Sequence, residues 1–245
     1  MNTNKNLQIE EAFNLAVKNH QEGKNDIAQN YYQKVLKIDP NNLVTHNNLG
    51  VIFESLGELQ KAQNYYEKAI KINPNYADAH YNLGTLLKEL GQYQKAKECY
   101  EKTIEIDPNH VDSYNNLGIV FKGLGENQKV KECYEKAIKI NPNYADAHYN
   151  LGNIFKKLGE NQKAKDCYEK VIEINPNHIN AHNNLGTILQ ELEQHQKAKD
   201  CYEKAIEINP NFYEALINRG KMLFEKGEFE LSLIDFDNCN TFDSR

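Results

Sequence analysis

The 245-residue sequence contains no tryptophan and no long apolar run. A membrane-spanning helix needs about 18 or more consecutive apolar residues, and none of the required length occurs, so no membrane partner is expected. Residues 1–6 also lack the apolar core of a signal peptide. We therefore expect a cytoplasmic or nuclear location.

Basic charge is not in excess either. The chain has 29 Lys and Arg against 35 Asp and Glu, a net charge of −6, which gives no broad attraction to phosphate backbones. Nucleic acid is therefore not an expected partner. Glycine-rich phosphate loops, nucleophile elbows, CxxC pairs and paired carboxylates in an apolar setting are absent too. We predict no enzymatic activity, no catalytic residue, no cofactor and no metal site.

Proline is scarce, and its six occurrences share one register. Each proline follows the previous one by 34 residues, and four of the five cysteines recur at the same interval. A fixed period of this length indicates an array of one copied unit, each copy contacting its neighbours. The prolines are Pro40, Pro74, Pro108, Pro142, Pro176 and Pro210, and the cysteines are Cys99, Cys133, Cys167 and Cys201.

Each copy predicts two amphipathic helices. In the copy at residues 145–178, apolar residues recur at helical spacing on both sides of Gly159, which suits a left-handed turn. Gly152 in the first helix and Ala164 in the second would let the two backbones approach closely, beside the large Tyr168. The sixth copy has Glu193 where the others have the turn glycine, so we expect a left-handed, strained residue there.

The period, together with Asn-Leu-Gly, Tyr-Glu-Lys-Ala-Ile and Asn-Pro-Asn, resembles the tetratricopeptide repeat (TPR) family over nearly the whole chain. The resemblance implies an all-α, right-handed superhelical solenoid of seven helix-turn-helix repeats, forming one domain over residues 9–245. Residues 1–8 are expected to be a disordered tail. The repeats are placed at 9–42, 43–76, 77–110, 111–144, 145–178, 179–212 and 213–245.

In that architecture the first helices line a concave groove, and each carries an asparagine before its Leu-Gly pair. Mid-helix Asn is about 0.6 kcal/mol less favourable than Ala, whereas its amide can match one peptide unit of an extended ligand. We predict that this asparagine ladder binds a protein or peptide segment, together with Tyr81 and Tyr149 from the neighbouring position. The predicted ladder residues are Asn48, Asn82, Asn116, Asn150, Asn184 and Asn218, and Asn14 has the same place in the first copy.

Other interpretations of this groove stay open. Recent duplication could have copied asparagine without a binding role. The ladder looks like the asparagine-lined superhelix of O-linked N-acetylglucosamine transferases, so the chain could be the non-catalytic repeat portion of a similar protein. A co-chaperone that grips terminal carboxylates is a third possibility. It is disfavoured because the basic residues that such modules need are replaced by Asn47, Tyr81 and acidic residues such as Asp78.

The last copy predicts a second surface. Leu231, Leu233 and Ile234 stand where earlier copies carry Lys, Lys and Asp or Glu. Terminal repeats normally expose a polar face to water, so an apolar one implies a covering surface. The alternative function is therefore a structural or assembly subunit that forms a homo-oligomer or docks a partner through these three residues.

Overall fold

The computed structural model describes the backbone of residues 2–240 and the side chains of residues 4–237. Over these residues the chain forms fourteen α-helices and no strand, which confirms the predicted all-α class. None of the described helices is both long and apolar enough to cross a bilayer. The chain divides into two compact units, one ending at Val130 and the other beginning at Lys131.

The first unit is a succession of helical hairpins. Its helices pair as α1–α2, α3–α4 and α5–α6, and each second helix also packs on the first helix of the next hairpin. The first helices α3, α5 and α7 contact one another in turn. The helices are α1 (Asn2–Gln21), α2 (Asn25–Ile38), α3 (Leu43–Ser55), α4 (Leu59–Ile72), α5 (Ala77–Glu89), α6 (Tyr93–Ile106), α7 (Val111–Gly123) and the start of α8 (Asn127–Ile140).

The second unit repeats this arrangement. It contains the rest of α8 and three hairpins, in which α9 packs on α10, α11 on α12 and α13 on α14. The first helices α11 and α13 again contact each other, so the predicted order of consecutive helical repeats is confirmed. The helices are α9 (Ala145–Lys157), α10 (Asn161–Ile174), α11 (Ile179–Glu191), α12 (His195–Ile208), α13 (Tyr213–Glu225) and α14 (Phe229–Asn240).

The N-terminal segment differs from the expected tail. Helix α1 begins at Asn2, so residues 2–8 continue the first helix. No glycine or proline interrupts the sequence between residues 2 and 21, and the helix can therefore extend beyond the first copy. Met1 and residues 241–245 lie outside the described residues.

Close approach of the two helices explains the glycine in each first helix. A Cβ added to Gly152 would lie 2.8 Å from the ring of Tyr168, and one added to Gly186 would lie 2.6 Å from the ring of Tyr202. Both tyrosines are fully buried. The tyrosine ring therefore occupies the space that a side chain would need, and the glycine offsets its poor helix propensity through packing.

The hairpin turns confirm the special place of Glu193. Its φ is +59°, and among the described residues every other residue with positive φ is a glycine, such as Gly159 at +72°. A side chain in this left-handed conformation crowds the backbone, at a cost of about 1–2 kcal/mol. The backbone at Glu193 is thus locally strained in the turn between α11 and α12.

Candidate functional site

The asparagine column occupies equivalent positions on the first helices. Asn48 lies on α3, and its counterparts follow on α5, α7, α9, α11 and α13. Asn116 is buried and the other five are half-buried, whereas Asn14 on α1 is exposed. The predicted position of the column on the first helices is therefore correct. The hydrogen-bond partners of each side-chain amide decide which of its groups remain for a ligand.

Two members of the column bind a second asparagine in the preceding repeat. Nδ2 of Asn82 donates to Oδ1 of Asn47 at 3.0 Å, and Nδ2 of Asn218 donates to Oδ1 of Asn183 at 3.0 Å. The acceptors are buried, with 6% of Asn47 and 8% of Asn183 exposed. We call these two contacts the asparagine junctions. Each one links neighbouring first helices through side chains 35 residues apart.

Asn116 makes a different contact, because the acceptor position in the preceding repeat is a tyrosine. Its Nδ2 donates to the Tyr81 hydroxyl at 3.3 Å, and its Oδ1 accepts from Nζ of Lys88 at 3.0 Å. The Tyr81 ring also packs on His110, with 4.7 Å between ring centroids. These four residues form the first tyrosine junction.

The second tyrosine junction repeats this arrangement 68 residues later. Nδ2 of Asn184 donates to the Tyr149 hydroxyl at 3.3 Å, and its Oδ1 accepts from Nζ of Lys156 at 3.3 Å. The Tyr149 ring packs on His178 at 4.9 Å. Asn184 has one additional acceptor, Oδ1 of Asn153 at 3.2 Å, where the first junction has Thr85.

These contacts reduce the number of side-chain groups that the asparagine ladder can offer to a ligand. Asn48 also donates within the chain, from Nδ2 to the Tyr32 hydroxyl at 3.0 Å. In the part of the chain that the structure describes, the carbonyl oxygens of Asn48, Asn82 and Asn218 accept no hydrogen bond. A ligand would therefore meet carbonyl oxygens and the second amide hydrogens. The column has a structural role as a link between repeats, and its peptide-binding role stays a prediction.

The lysines of the tyrosine junctions are partly removed from water. Burial lowers the pKa of Lys88 and of Lys156, while the nearby charges of Glu89 and Glu191 oppose this shift in part. Burial is also the main cause of the raised pKa of Tyr81. Among the described residues, neither lysine has a carboxylate within ion-pairing distance. Sequence reasoning did not identify these two lysines.

The histidines near the column bind the backbone. Nδ1 of His178 accepts from the Ala181 amide at 3.1 Å at the start of α11, and Nε2 of His182 lies 2.9 Å from the Pro176 carbonyl. Both imidazole rings thus form hydrogen bonds with the backbone near the start of α11. Within the described residues no group of three or more His, Cys, Asp or Glu could hold a metal ion.

The predicted docking residues are exposed on α14. The exposed fractions are 48% for Leu231, 60% for Leu233 and 55% for Ile234. On α12, Lys197 and Asp200 have the places of Leu231 and Ile234, and both are exposed although α13 packs on α12. A further hairpin stacked on α14 in the same way would therefore leave Leu231 and Ile234 uncovered.

The last hairpin also contains an ion pair that the sequence analysis missed. Arg219 donates from Nε and Nη2 to the two carboxylate oxygens of Asp235, at 2.9 Å and 2.6 Å, and Asp235 is only 1% exposed. Copies three to six have leucine and cysteine at these places. The exchange of both residues at once was the available signal, since only a paired charge is tolerated when buried.

With this geometry established, comparison with protein families identifies the class. Tetratricopeptide repeat models match residues 12–42, 44–76, 77–110, 111–144, 145–178, 179–212 and 201–233. The chain belongs to the tetratricopeptide repeat family. A comparison with curated proteins found no match to this sequence.

Solved structures of other repeat proteins are similar to this chain. The crystal structure of YrrB, described as a TPR protein with an unusual peptide-binding site, has 25% identity and a TM-score of 0.61, with 76% of this chain and 95% of YrrB covered. MamA has 30% identity and a TM-score of 0.60, with 65% and 94% covered. Pseudomonas aeruginosa pilF, at 20% identity, shares the fold with a TM-score of 0.79 over 86% and 96%. Family and neighbours together support a protein-interaction scaffold.

Proposed function

We propose that this protein binds an extended segment of a partner protein along the first helices of each unit. The observation that carries the proposal is the row of half-buried asparagines on the first helices within each unit. In it, the carbonyl oxygens of Asn48, Asn82 and Asn218 have no hydrogen-bond donor within the described chain. These oxygens are therefore available to accept a hydrogen bond from a ligand in place of water.

An extended peptide supplies such donors at a suitable spacing. Helices that pack in succession lie about 10 Å apart, and an extended chain advances about 3.3 Å per residue. Every third residue of the ligand would then bring a backbone N–H to the next asparagine carbonyl. Because the contact is to the backbone, the asparagines would give affinity, and other side chains on the first helices would give sequence preference.

The likeness to YrrB favours a peptide as the ligand, since that relative is described as having a peptide-binding site. A surface built from consecutive repeats is suited to binding another chain. We therefore propose binding rather than catalysis as the activity of this protein.

The test starts from a phage-displayed library of random dodecapeptides selected on the wild-type protein. Fluorescence anisotropy then gives the dissociation constant of each selected peptide for the wild type and for a variant with Asn48, Asn82 and Asn218 all changed to Ala. We expect at least a tenfold weaker binding by the variant. Equal affinity would overturn the proposal.

A matched control separates binding from destabilisation. Gln162 and Gln196 are exposed amides on second helices that donate to Asp166 and Asp200 at 2.7 Å and 2.9 Å. Changing both to Ala removes side-chain amides from the opposite helices of the hairpins, and should leave the affinity unchanged. Circular dichroism at the assay temperature verifies that both variants are folded.

The exposed residues of α14 favour a second candidate function, docking of a partner at the last hairpin. Glu228 directly precedes α14, Glu230 and Asp237 lie within it, and the sequence of α14 has no Lys or Arg. We therefore propose a partner helix with an apolar face and basic flanks, on grounds of charge complementarity.

The same peptide selection separates the two candidates. Peptides held by α14 should lose affinity for a protein with Leu231→Glu and Ile234→Glu, and should retain it for the asparagine variant.

Light scattering of the wild type against Leu233→Glu detects self-association. Wild-type dimers that Leu233→Glu dissociates would identify a second copy as the partner of α14. A selection that yields no α14-dependent peptide would contradict the proposed basic partner helix.

A further inference from the structure

The two tyrosine junctions present half-buried ammonium groups that lack an ion-pair partner within the described residues. Nζ of Lys88 and of Lys156 each donate one hydrogen bond, to Asn116 and Asn184 at 3.0 Å and 3.3 Å. An ammonium group has three donors, so two hydrogens of each lysine remain for another acceptor. Partial burial of a cation is costly unless an anion or several acceptors compensate for the lost water.

Neutral donors lie beside each ammonium group, while Glu89 and Glu191 act on Lys88 and Lys156 from beyond ion-pairing distance. Beside Lys88 stand the Tyr81 hydroxyl and the second amide hydrogen of Asn116, because only one is used in the bond to Tyr81. Beside Lys156 stands the Tyr149 hydroxyl, whereas both amide hydrogens of Asn184 are used, in the bonds to Tyr149 and to Asn153. The first junction thus has one cation and two neutral donors, and the second has one cation and one neutral donor. Either set on a half-buried surface suits a small anion with several acceptor atoms.

Other repeats differ at the place of these lysines. In the second copy, Glu54 accepts a hydrogen bond from Tyr66. In the sixth copy, Gln190 accepts from the Tyr202 hydroxyl at 3.2 Å and donates to Glu225 at 3.3 Å. In the fourth copy, Lys122 is exposed. The lysine is thus half-buried in the third and fifth copies, which are the copies that carry the tyrosine. Its burial therefore does not follow from its position on the helix alone.

We propose that each tyrosine junction is a subsite for a carboxylate group of the bound segment. This inference rests on the proposed function, since it supposes that a segment lies along the first helices. In both junctions the carboxylate would accept from the lysine ammonium group and from the tyrosine hydroxyl, and in the first junction also from the Asn116 amide. Charge-assisted hydrogen bonds of this kind are about twice as strong as neutral ones.

Two sources of the carboxylate are possible, acidic side chains or the C-terminus of the partner. A chain has one C-terminus, whereas the protein has two tyrosine junctions, one in each unit. We therefore assign the subsites to aspartate or glutamate side chains. A probe with an amidated C-terminus distinguishes the two sources.

The experiment uses fluorescein-labelled dodecapeptides of glycine and serine with glutamate at every third position and an amidated C-terminus. A second peptide has glutamine in place of each glutamate. Anisotropy titrations compare the wild type, a Lys88→Met and Lys156→Met variant, and a Lys122→Met control. We expect the wild type to bind the glutamate peptide about tenfold more tightly than the glutamine peptide at low salt. The double variant should lose this preference, and Lys122→Met should keep most of it.

A site-specific readout accompanies the titration. The glutamate peptide should shift the side-chain ¹H–¹⁵N signals of Asn116 and Asn184, whereas a merely general attraction to lysine would leave them in place. Equal affinity for the two peptides, or an equal effect of Lys122→Met and the double variant, would overturn the inference. If neither peptide binds while library-selected peptides do, the carboxylate subsites fall and the proposed function stands. If the selected peptides also fail to bind, both fall.

Discussion

The asparagine junctions and the tyrosine junctions connect successive repeats through the same asparagine but with different acceptors. Asn82 donates to the buried amide of Asn47, whereas Asn116 donates to the half-buried hydroxyl of Tyr81 and also accepts from Lys88. In the first case the acceptor has little access to water. In the second case the hydroxyl can exchange its protein partner for water. The same asparagine position therefore lies in two different environments, and the loss of its hydrogen bond should cost more stability in the first than in the second.

The comparison also changes the interpretation of the column. Seven mid-helix asparagines look costly if only helix propensity is considered. A hydrogen bond to the preceding repeat contributes about 0.5–1.5 kcal/mol, which is enough to offset the lower propensity of Asn48, Asn82, Asn116, Asn184 and Asn218. The column therefore has a structural reason to exist, and a ligand would use groups that these bonds leave over.

The largest effect should come from breaking an asparagine junction. Asn82→Ala leaves Oδ1 of the buried Asn47 without its donor, so we expect a loss of about 1–3 kcal/mol in the free energy of unfolding. Urea denaturation followed by circular dichroism measures it. Gln63→Ala is the control, because Gln63 donates to Glu67 at 2.8 Å in an exposed hydrogen bond on one helix face. An Asn82→Ala protein no less stable than this control would contradict the structural role.

Removal of a tyrosine hydroxyl should have a smaller effect. Tyr81→Phe takes away the acceptor of Asn116 but keeps the ring contact with His110, so we expect a loss of roughly 0.5–1.5 kcal/mol. Tyr149→Phe should cost less, because Asn184 retains Asn153 as an acceptor at 3.2 Å. The same denaturation experiment compares the two variants. A larger loss for Tyr149→Phe would show that the second acceptor does not compensate.

A more stable background would sharpen the comparison in the second unit. Glu193 lies in the turn of the hairpin that carries Asn183, with φ +59°. Glu193→Gly relieves the strain but also increases the freedom of the unfolded chain, so we expect a net gain of about 0.5–1 kcal/mol. The gain should appear as a higher melting temperature. An unchanged or lower value would mean that this turn is not strained.

The tyrosine junctions should also differ in their titration. Burial lowers the pKa of Lys88 and Lys156, so in the folded protein each should lose its proton at a lower pH than a lysine in the unfolded chain. Their charged forms reduce stability fully below the folded pKa. This penalty is relieved as the pH rises through the folded pKa toward the unfolded one. Lysine side-chain NMR across alkaline pH measures both values, and ordinary pKa values for both lysines would show that they are fully solvated.

The sequence predicted the repeated architecture well because local signals agree at each level. The 34-residue proline register, the glycine turns and the glycine beside each buried tyrosine recur in every interior copy or nearly so. Even the exception at Glu193 was predictable from its alignment with the turn glycines. Each of these features depends on residues within one hairpin, where spacing along the chain fixes which side chains meet.

The candidate site was predictable only in part. The position of each asparagine followed from helix periodicity, and the alternation of Asn47 and Tyr81 was visible as a 68-residue period. Their hydrogen bond to the next repeat was not foreseen, because it joins residues 35 apart and depends on how two hairpins stack. The partial burial of Lys88 was missed for the same reason. Arg219 and Asp235 were also visible in the sequence, but their pairing requires the packed last hairpin.

The most direct test of the account is the side-chain ¹H–¹⁵N spectrum of the protein with and without a library-selected peptide. We predict that the amide signals of Asn48, Asn82 and Asn218 shift on binding, since their carbonyl oxygens would accept from the peptide. Those of Gln63, Gln162 and Gln196 on the second helices should stay in place. Shifts confined to the glutamines would contradict binding along the first helices.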